Sequence, residues 1–230
     1  MKLTDRRFFG LLGEVVDGNP TQEMMAAAFA ATDELTEAAA KIGAVNCVYR
    51  SGDRLVGDNT DGRGLVSALA GTCSVGGASV VVLGAGGAAR AIAVELGLAG
   101  AREITVVNRT AEAGRSLVDA ECRYVPWDGE FAVPADVDLV VNGTSIGMLD
   151  PDERADVDLS QLGPNAVVAD AVIAPRETAI LADASERGLR TVVGAEMLVK
   201  QAAISFDLWT GQAADETALR GALDESLLAP

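Results

Sequence analysis

The chain has 230 residues, 34 acidic side chains against 18 basic ones, three cysteines and no histidine, for a formal net charge of −16. That balance opposes nucleic-acid or anionic-membrane binding through a diffuse basic surface, and the lack of imidazole excludes His-ligated zinc and Ser-His-Asp catalysis. The 49% hydrophobic content is ample for one large α/β unit plus a small one, but holds neither a bilayer-spanning run nor a signal-type region after Met1-Lys2, so a cytoplasmic protein without a metal is expected.

In chain order, the first predicted strand is Phe8 to Val15. From Thr21 to Ile42 no Gly or Pro interrupts a run dominated by Ala, Met, Glu and Leu. This predicts one continuous helix of roughly 30 Å. With a strand over Ala44 to Arg50, that helix makes a βαβ crossover. A single helix is thin cover for a sheet, so exposed apolar surface and a homodimer or partner contact are expected there.

Ser79 to Leu83 carries four consecutive apolar residues from Val80 to Leu83, the mark of a strand buried on both faces. The turn Gly84-Ala85-Gly86-Gly87-Ala88-Ala89 follows and opens a helix over Ala88 to Leu98. Gly84 permits a tight turn, Gly86 lets the backbone approach a pyrophosphate, and small Ala89 lets helix and strand pack closely. Unpaired N–H groups at the helix start favour the anion. The second strand, Glu103 to Val107, runs into Asn108-Arg109-Thr110 rather than an acidic residue. Arg109 suits a ribose 2′-phosphate, which selects NADP and leaves NAD as the second cofactor.

Further strands are predicted at Arg123 to Val125, Val137 to Val141, Ala166 to Asp170 and Arg190 to Val193, with helices at Ala111 to Ala120 and Arg176 to Arg187. Strands alternating with helices predict a doubly wound parallel sheet. Gly143-Thr144-Ser145-Ile146-Gly147 formally matches a nucleophile elbow, but without a histidine base the match is accidental. The loop sits instead at the carboxyl end of a strand, where such sheets bind ligands, and Asn142, Thr144 and Ser145 offer short polar contacts to the cofactor.

Several segments together resemble shikimate dehydrogenases. They are Gly43-Ala44-Val45-Asn46, Gly57-Asp58-Asn59-Thr60-Asp61-Gly62-Arg63-Gly64, Asn142-Gly143-Thr144-Ser145-Ile146-Gly147-Met148, Gly194-Ala195-Glu196-Met197-Leu198-Val199-Lys200-Gln201 and Phe206-Asp207-Leu208-Trp209-Thr210-Gly211. The resemblance implies NADPH-dependent reduction of 3-dehydroshikimate to shikimate, or the corresponding reaction of quinate, in a cleft between two units. It implies a Rossmann-type domain over residues 73–194, a truncated α/β substrate domain over 1–72, and C-terminal helices over 195–230 that pack back toward the latter. It makes Asp61 the carboxylate of the family's catalytic Lys/Asp pair, and Thr21, Asn46 and Gln201 substrate ligands beside it. It adds Met148 and Gly194 to a cofactor set of Gly84, Ala85, Gly86, Gly87, Ala88, Asn108, Arg109, Thr110, Asn142, Thr144 and Ser145.

The chain departs from the family pattern at three places. Of the family's early hydroxyl pair only Thr21 is kept, Asn19 standing in the other position; Ile173 stands where the family often has Tyr; and between Phe29 and Asp33 the segment that supplies the catalytic lysine is missing. Only Lys2, Lys41 and Lys200 remain. Two functions stay open: a working dehydrogenase, or a catalytically silent dinucleotide-binding remnant or regulatory module.

Overall fold

The computed structural model describes residues 32–117, 122–148, 150 and 152–228. The predicted strand Phe8 to Val15, residues 21–31 of the predicted long helix, Asn19 and Thr21 lie outside the described residues.

Within the described part the long helix does not continue through to Ile42. Residues Glu34–Leu35 form a short strand, β1, and a separate helix, α1, spans Glu37–Ile42. Thr36 divides them: its backbone is extended (φ −64°, ψ 157°) and its hydroxyl accepts the Ala39 N–H at 3.2 Å, a Thr N-cap. Helix propensity is overridden because Glu34 and Leu35 gain a partner strand, pairing with Val56 and Gly57.

That partner belongs to a hairpin of β2 (Cys47–Ser51) and β3 (Arg54–Asp58), which pair antiparallel across Gly52-Asp53, Gly52 having φ +60°. The crossover expected around Ala44 to Arg50 is therefore replaced by a three-stranded sheet in the order β1-β3-β2, with β1 parallel to β3.

Helix α2 (Asp61–Leu69) leads into the larger unit. There follow β4 (Ser79–Leu83), α3 (Gly87–Leu98), β5 (Glu103–Asn108), α4 (Ala111–Arg115), β6 (Arg123–Pro126), β7 (Phe131–Ala132), β8 (Leu139–Asn142), β9 (Val157–Asp158), β10 (Val167–Asp170), α5 (Ala179–Glu186), β11 (Arg190–Val192), α6 (Gly194–Thr210) and α7 (Glu216–Leu228). Six of these strands form a wholly parallel sheet in the order β11-β10-β8-β4-β5-β6, the doubly wound arrangement predicted from the alternation. Helix α5 starts later than the predicted Arg176, because Thr178 is extended and its hydroxyl donates to the Asp170 carboxylate. Helix α4 is shorter than predicted, ending at Arg115.

Strand β4 shows why the apolar run had to be a central strand. Val80 and Val82 enter a core with Leu65, Ile92 and Leu96, whereas Val81 and Leu83 enter a second core with Val140, Val168 and Leu181. Helix α2 wedges between α3 and α6 through two glycines. A Cβ on Gly62 would stand 2.2 Å from the Ala91 carbonyl oxygen, and one on Gly64 would stand 2.7 Å from that of Met197. These contacts set Asp61 against both long helices.

Candidate functional site

The strand order reverses between β4 and β8, and a cleft of ≈ 410 Å³ opens at the carboxyl ends of these two strands. After Leu83 the chain turns at Gly84, which has φ +97° and lies so close to the next loop that a Cβ would meet Thr144 Cγ2 at 2.9 Å. Gly86 caps α3 from an extended conformation with no side chain capping the helix. A Cβ on Gly86 or Gly87 would meet nothing within 4 Å, so space stands open over the first turn. The N–H groups of that turn and the helix dipole make it an anion cradle. Arg109 is exposed at the rim and makes no ion pair with any described residue.

Of the residues predicted to hold a cofactor, Gly84 through Ala88, Asn108, Arg109, Thr144, Ser145 and Met148 line this cleft. Three do not. Asn142 is fully buried, donating to Asp170 Oδ1 at 3.0 Å while its own carbonyl accepts the Thr144 N–H at 3.1 Å and hydroxyl at 2.6 Å. It shapes the loop rather than facing the cleft. Gly194 begins α6 against the Val172 carbonyl oxygen, 2.1 Å from where a Cβ would be. Thr110 caps α4, its carbonyl accepting from the Asn108 amide at 2.9 Å. Trp127, Ile146 and Ala171 also line the cleft, and nothing in their local sequence pattern marked them.

The second part of the site is built on the β3–α2 junction. Asp58 is buried and fully engaged: it accepts the Thr36 hydroxyl at 2.6 Å, the Asn59 N–H at 2.8 Å and Arg63 Nη1 at 2.7 Å. Asp61, three residues on, is held differently. Burial pushes its carboxyl pKa upward, opposed by a hydrogen bond from the Asn46 side chain. The Asn46 carbonyl in turn accepts the Thr60 N–H at 2.8 Å. Gln201, on α6, has Oε1 3.2 Å from the Thr60 hydroxyl. The structure thus gathers Asn46, Asp61 and Gln201 from three separate segments. Gly62, next to Asp61, packs against Ala91, four residues and roughly 6 Å along α3 from Gly87.

Thr60 and Ser205, both buried, were missed as site-building residues. A signal existed for Ser205, since it lies four residues after Gln201 and so on the same face of α6. Neither described lysine reaches Asp61 through its ion pair: Lys41 Nζ pairs with Glu37 at 3.0 Å and Lys200 Nζ with Glu216 at 2.6 Å. Ile173 follows β10, two residues after the cleft residue Ala171, is half-buried and is not among the cleft-lining residues.

A doubly wound parallel sheet with an open Gly-rich helix start at its switch point defines a Rossmann-type dinucleotide-binding protein. Residues 67–147 match the family Shikimate / quinate 5-dehydrogenase and residues 194–223 match the Shikimate 5'-dehydrogenase C-terminal domain. The shikimate dehydrogenase (NADP(+)) of Desulforamulus reducens is 37% identical over 85% of this chain and 71% of its own length, and that of Methylobacterium radiotolerans is 44% identical over 84% and 72%. The chain belongs to the shikimate dehydrogenase family of oxidoreductases.

Among solved structures, the Thermus thermophilus shikimate 5-dehydrogenase in complex with NADP(H) and shikimate superposes with a TM-score of 0.76 at 34% identity, covering 89% of this chain and 76% of that one. The 5-ketofructose reductase of Gluconobacter sp. strain CHM43 superposes with a TM-score of 0.83 at 40% identity, covering 87% and 75%.

Proposed function

We propose that this chain catalyses NADP-dependent interconversion of shikimate and 3-dehydroshikimate, with the cofactor in the cleft at the β4–β8 switch point and the substrate beside Asn46, Asp61 and Gln201. The observation that carries this reading is that the start of α3, which no side chain caps, and the Arg109 guanidinium, which has no ion pair among the described residues, line one cleft. The donor set fits the cofactor. The first turn of α3 would hold the pyrophosphate, and Arg109 the 2′-phosphate through charge-assisted hydrogen bonds. When bound, the nicotinamide accepts or supplies the hydride. In this assignment residues 73–194 form the cofactor unit, and residues 1–72 with the C-terminal helices form a shortened substrate unit.

The remaining chemistry falls to the chain's own residues. In the oxidation direction Asp61 takes the hydroxyl proton as the carbon–hydrogen bond is broken, and it returns that proton to the developing alkoxide in reduction. Burial raises the pKa of this half-buried carboxyl above its ordinary value, the direction that helps it hold and return a proton. Asn46 fixes the orientation of that carboxyl, and Gln201 hydrogen-bonds a substrate oxygen. The segment that supplies the family's lysine is the part this chain lacks, so Asp61 works without that partner.

A second substrate reading rests on the likeness to a 5-ketofructose reductase. Ile173, standing where the family often has Tyr, offers no hydroxyl to hold a substrate carboxylate. The test is NADP⁺ reduction with shikimate and with quinate, beside NADPH oxidation with 3-dehydroshikimate and with 5-ketofructose. Turnover with shikimate supports the first reading. Turnover with 5-ketofructose alone moves the substrate class, and NADP binding without turnover on any of them leaves a silent binding module.

A further inference from the structure

Behind Asn46 and Gln201 lies a buried chain of hydroxyl and thiol groups. Thr60 has no exposed surface, Ser205 is 5% exposed and Cys47 is 1% exposed. The Thr60 hydroxyl stands 3.1 Å from Ser205 Oγ, 3.2 Å from Gln201 Oε1 and 3.2 Å from Asn46 Oδ1. The Cys47 thiol lies near Ser205: burial pushes its pKa up, and the Ser205 hydroxyl opposes that rise.

Counting hydrogens gives this chain a direction. Thr60 has one hydroxyl hydrogen for two carbonyl oxygens. Asn46 Oδ1 is already served by the Thr60 backbone N–H at 2.8 Å, so the hydroxyl hydrogen goes to Gln201 Oε1. Thr60 Oγ1 then accepts from the Ser205 hydroxyl. A buried hydroxyl left without its partner would incur a desolvation cost, so the sequence of donors is cooperative.

We infer that Thr60 is a positioning residue whose one hydroxyl hydrogen, directed by Ser205 behind it, fixes the Gln201 amide with its N–H groups toward the ligand. The consequence is a rule of recognition: the ligand oxygen facing Gln201 must accept hydrogen bonds, while Asp61 takes the donor. This deepens the proposed function and rests on its placement of the ligand beside Gln201.

The test combines NMR on the ligand-free chain with shikimate titration in the presence of NADP⁺, using wild type, Thr60→Val, Thr60→Ser and Ser205→Ala. In wild type the Gln201 side-chain amide hydrogens should exchange freely with solvent, and the Thr60 hydroxyl hydrogen should be protected. Thr60→Val should weaken shikimate binding about fivefold, the equivalent of one orienting hydrogen bond, and Thr60→Ser should restore it. Ser205→Ala, the milder change should Thr60→Val not fold, should expose the Thr60 hydroxyl to exchange. Gln201 amide hydrogens protected and in contact with the Thr60 side chain would overturn the inference, as would a Thr60→Ser variant as weak as Thr60→Val. If wild type does not bind shikimate, the proposed substrate fails instead, and the NMR result still decides the orientation of Gln201.

Discussion

Asp58 and Asp61 show how three residues of separation produce two different carboxylates. Asp58 spends its lone pairs on Thr36, Asn59 and Arg63, and so holds the sheet, the junction and α2 together. Asp61 has a raised pKa because burial penalises its charged form. A carboxyl whose pKa is higher folded than unfolded stabilises the fold at low pH, and that contribution is lost as pH rises through the folded value. Asp61→Asn should therefore flatten the loss of thermal stability on going from acidic to neutral pH, read as Tm against pH. In the oxidation direction the same group must be ionised, so wild-type turnover should rise with pH through a limb placed above the ordinary carboxylate range.

Arg109 is the other residue whose effect is specific. Removing it as Arg109→Ala should weaken NADP⁺ binding about 10- to 100-fold, the range for a charge-assisted hydrogen bond, and leave NAD⁺ binding nearly unchanged. Titration with each nucleotide checks this, and equal losses for both would remove Arg109 from the 2′-phosphate.

At the scale of elements, the six-stranded sheet was legible because its signals are local and redundant. The apolar run at Val80 to Leu83, the Gly-rich turn and the strand–helix alternation all specify the same arrangement. The loops lining the cleft were legible for the same reason, but not Asn142, where a short polar residue at a strand end is an internal brace, nor Thr110 and Gly194, which the cleft lining leaves out. Residues 32–42 were misread because the decisive partner is remote in sequence: Glu34 and Leu35 pair with residues more than twenty positions away. Thr36 was the available clue, a good N-cap followed by Glu37. Thr36→Ala should destabilise the chain by about 1 kcal/mol for the cap, and by somewhat more for the lost hydrogen bond to Asp58, whose Oδ1 keeps the Asn59 N–H, measured by denaturant unfolding. Gly62→Ala should be far worse, because backbone rather than a flexible side chain occupies the site of the added methyl.

At the scale of the whole molecule, α2 ties the small sheet to the dinucleotide unit by lying on both α3 and α6. On the edge strand β1, Leu35 is 49% exposed, a single apolar side chain rather than the broad apolar surface expected there. Cofactor binding should stabilise the folded chain by mass action: NADP⁺ at a hundredfold excess over its Kd adds about 2.7 kcal/mol, visible as a concentration-dependent rise in Tm. Failure of Tm to respond to NADP⁺ would contradict the assignment of the cleft.

The most direct measurement is NADP⁺ reduction by the purified chain at saturating shikimate, run beside Asp61→Asn after NADP⁺ binding has been shown equal for the two proteins. Wild type should show measurable turnover that the substitution abolishes, with Asp61 carrying the proton. Equal rates for the two proteins, or no turnover in a folded wild type that binds NADP⁺, would contradict it.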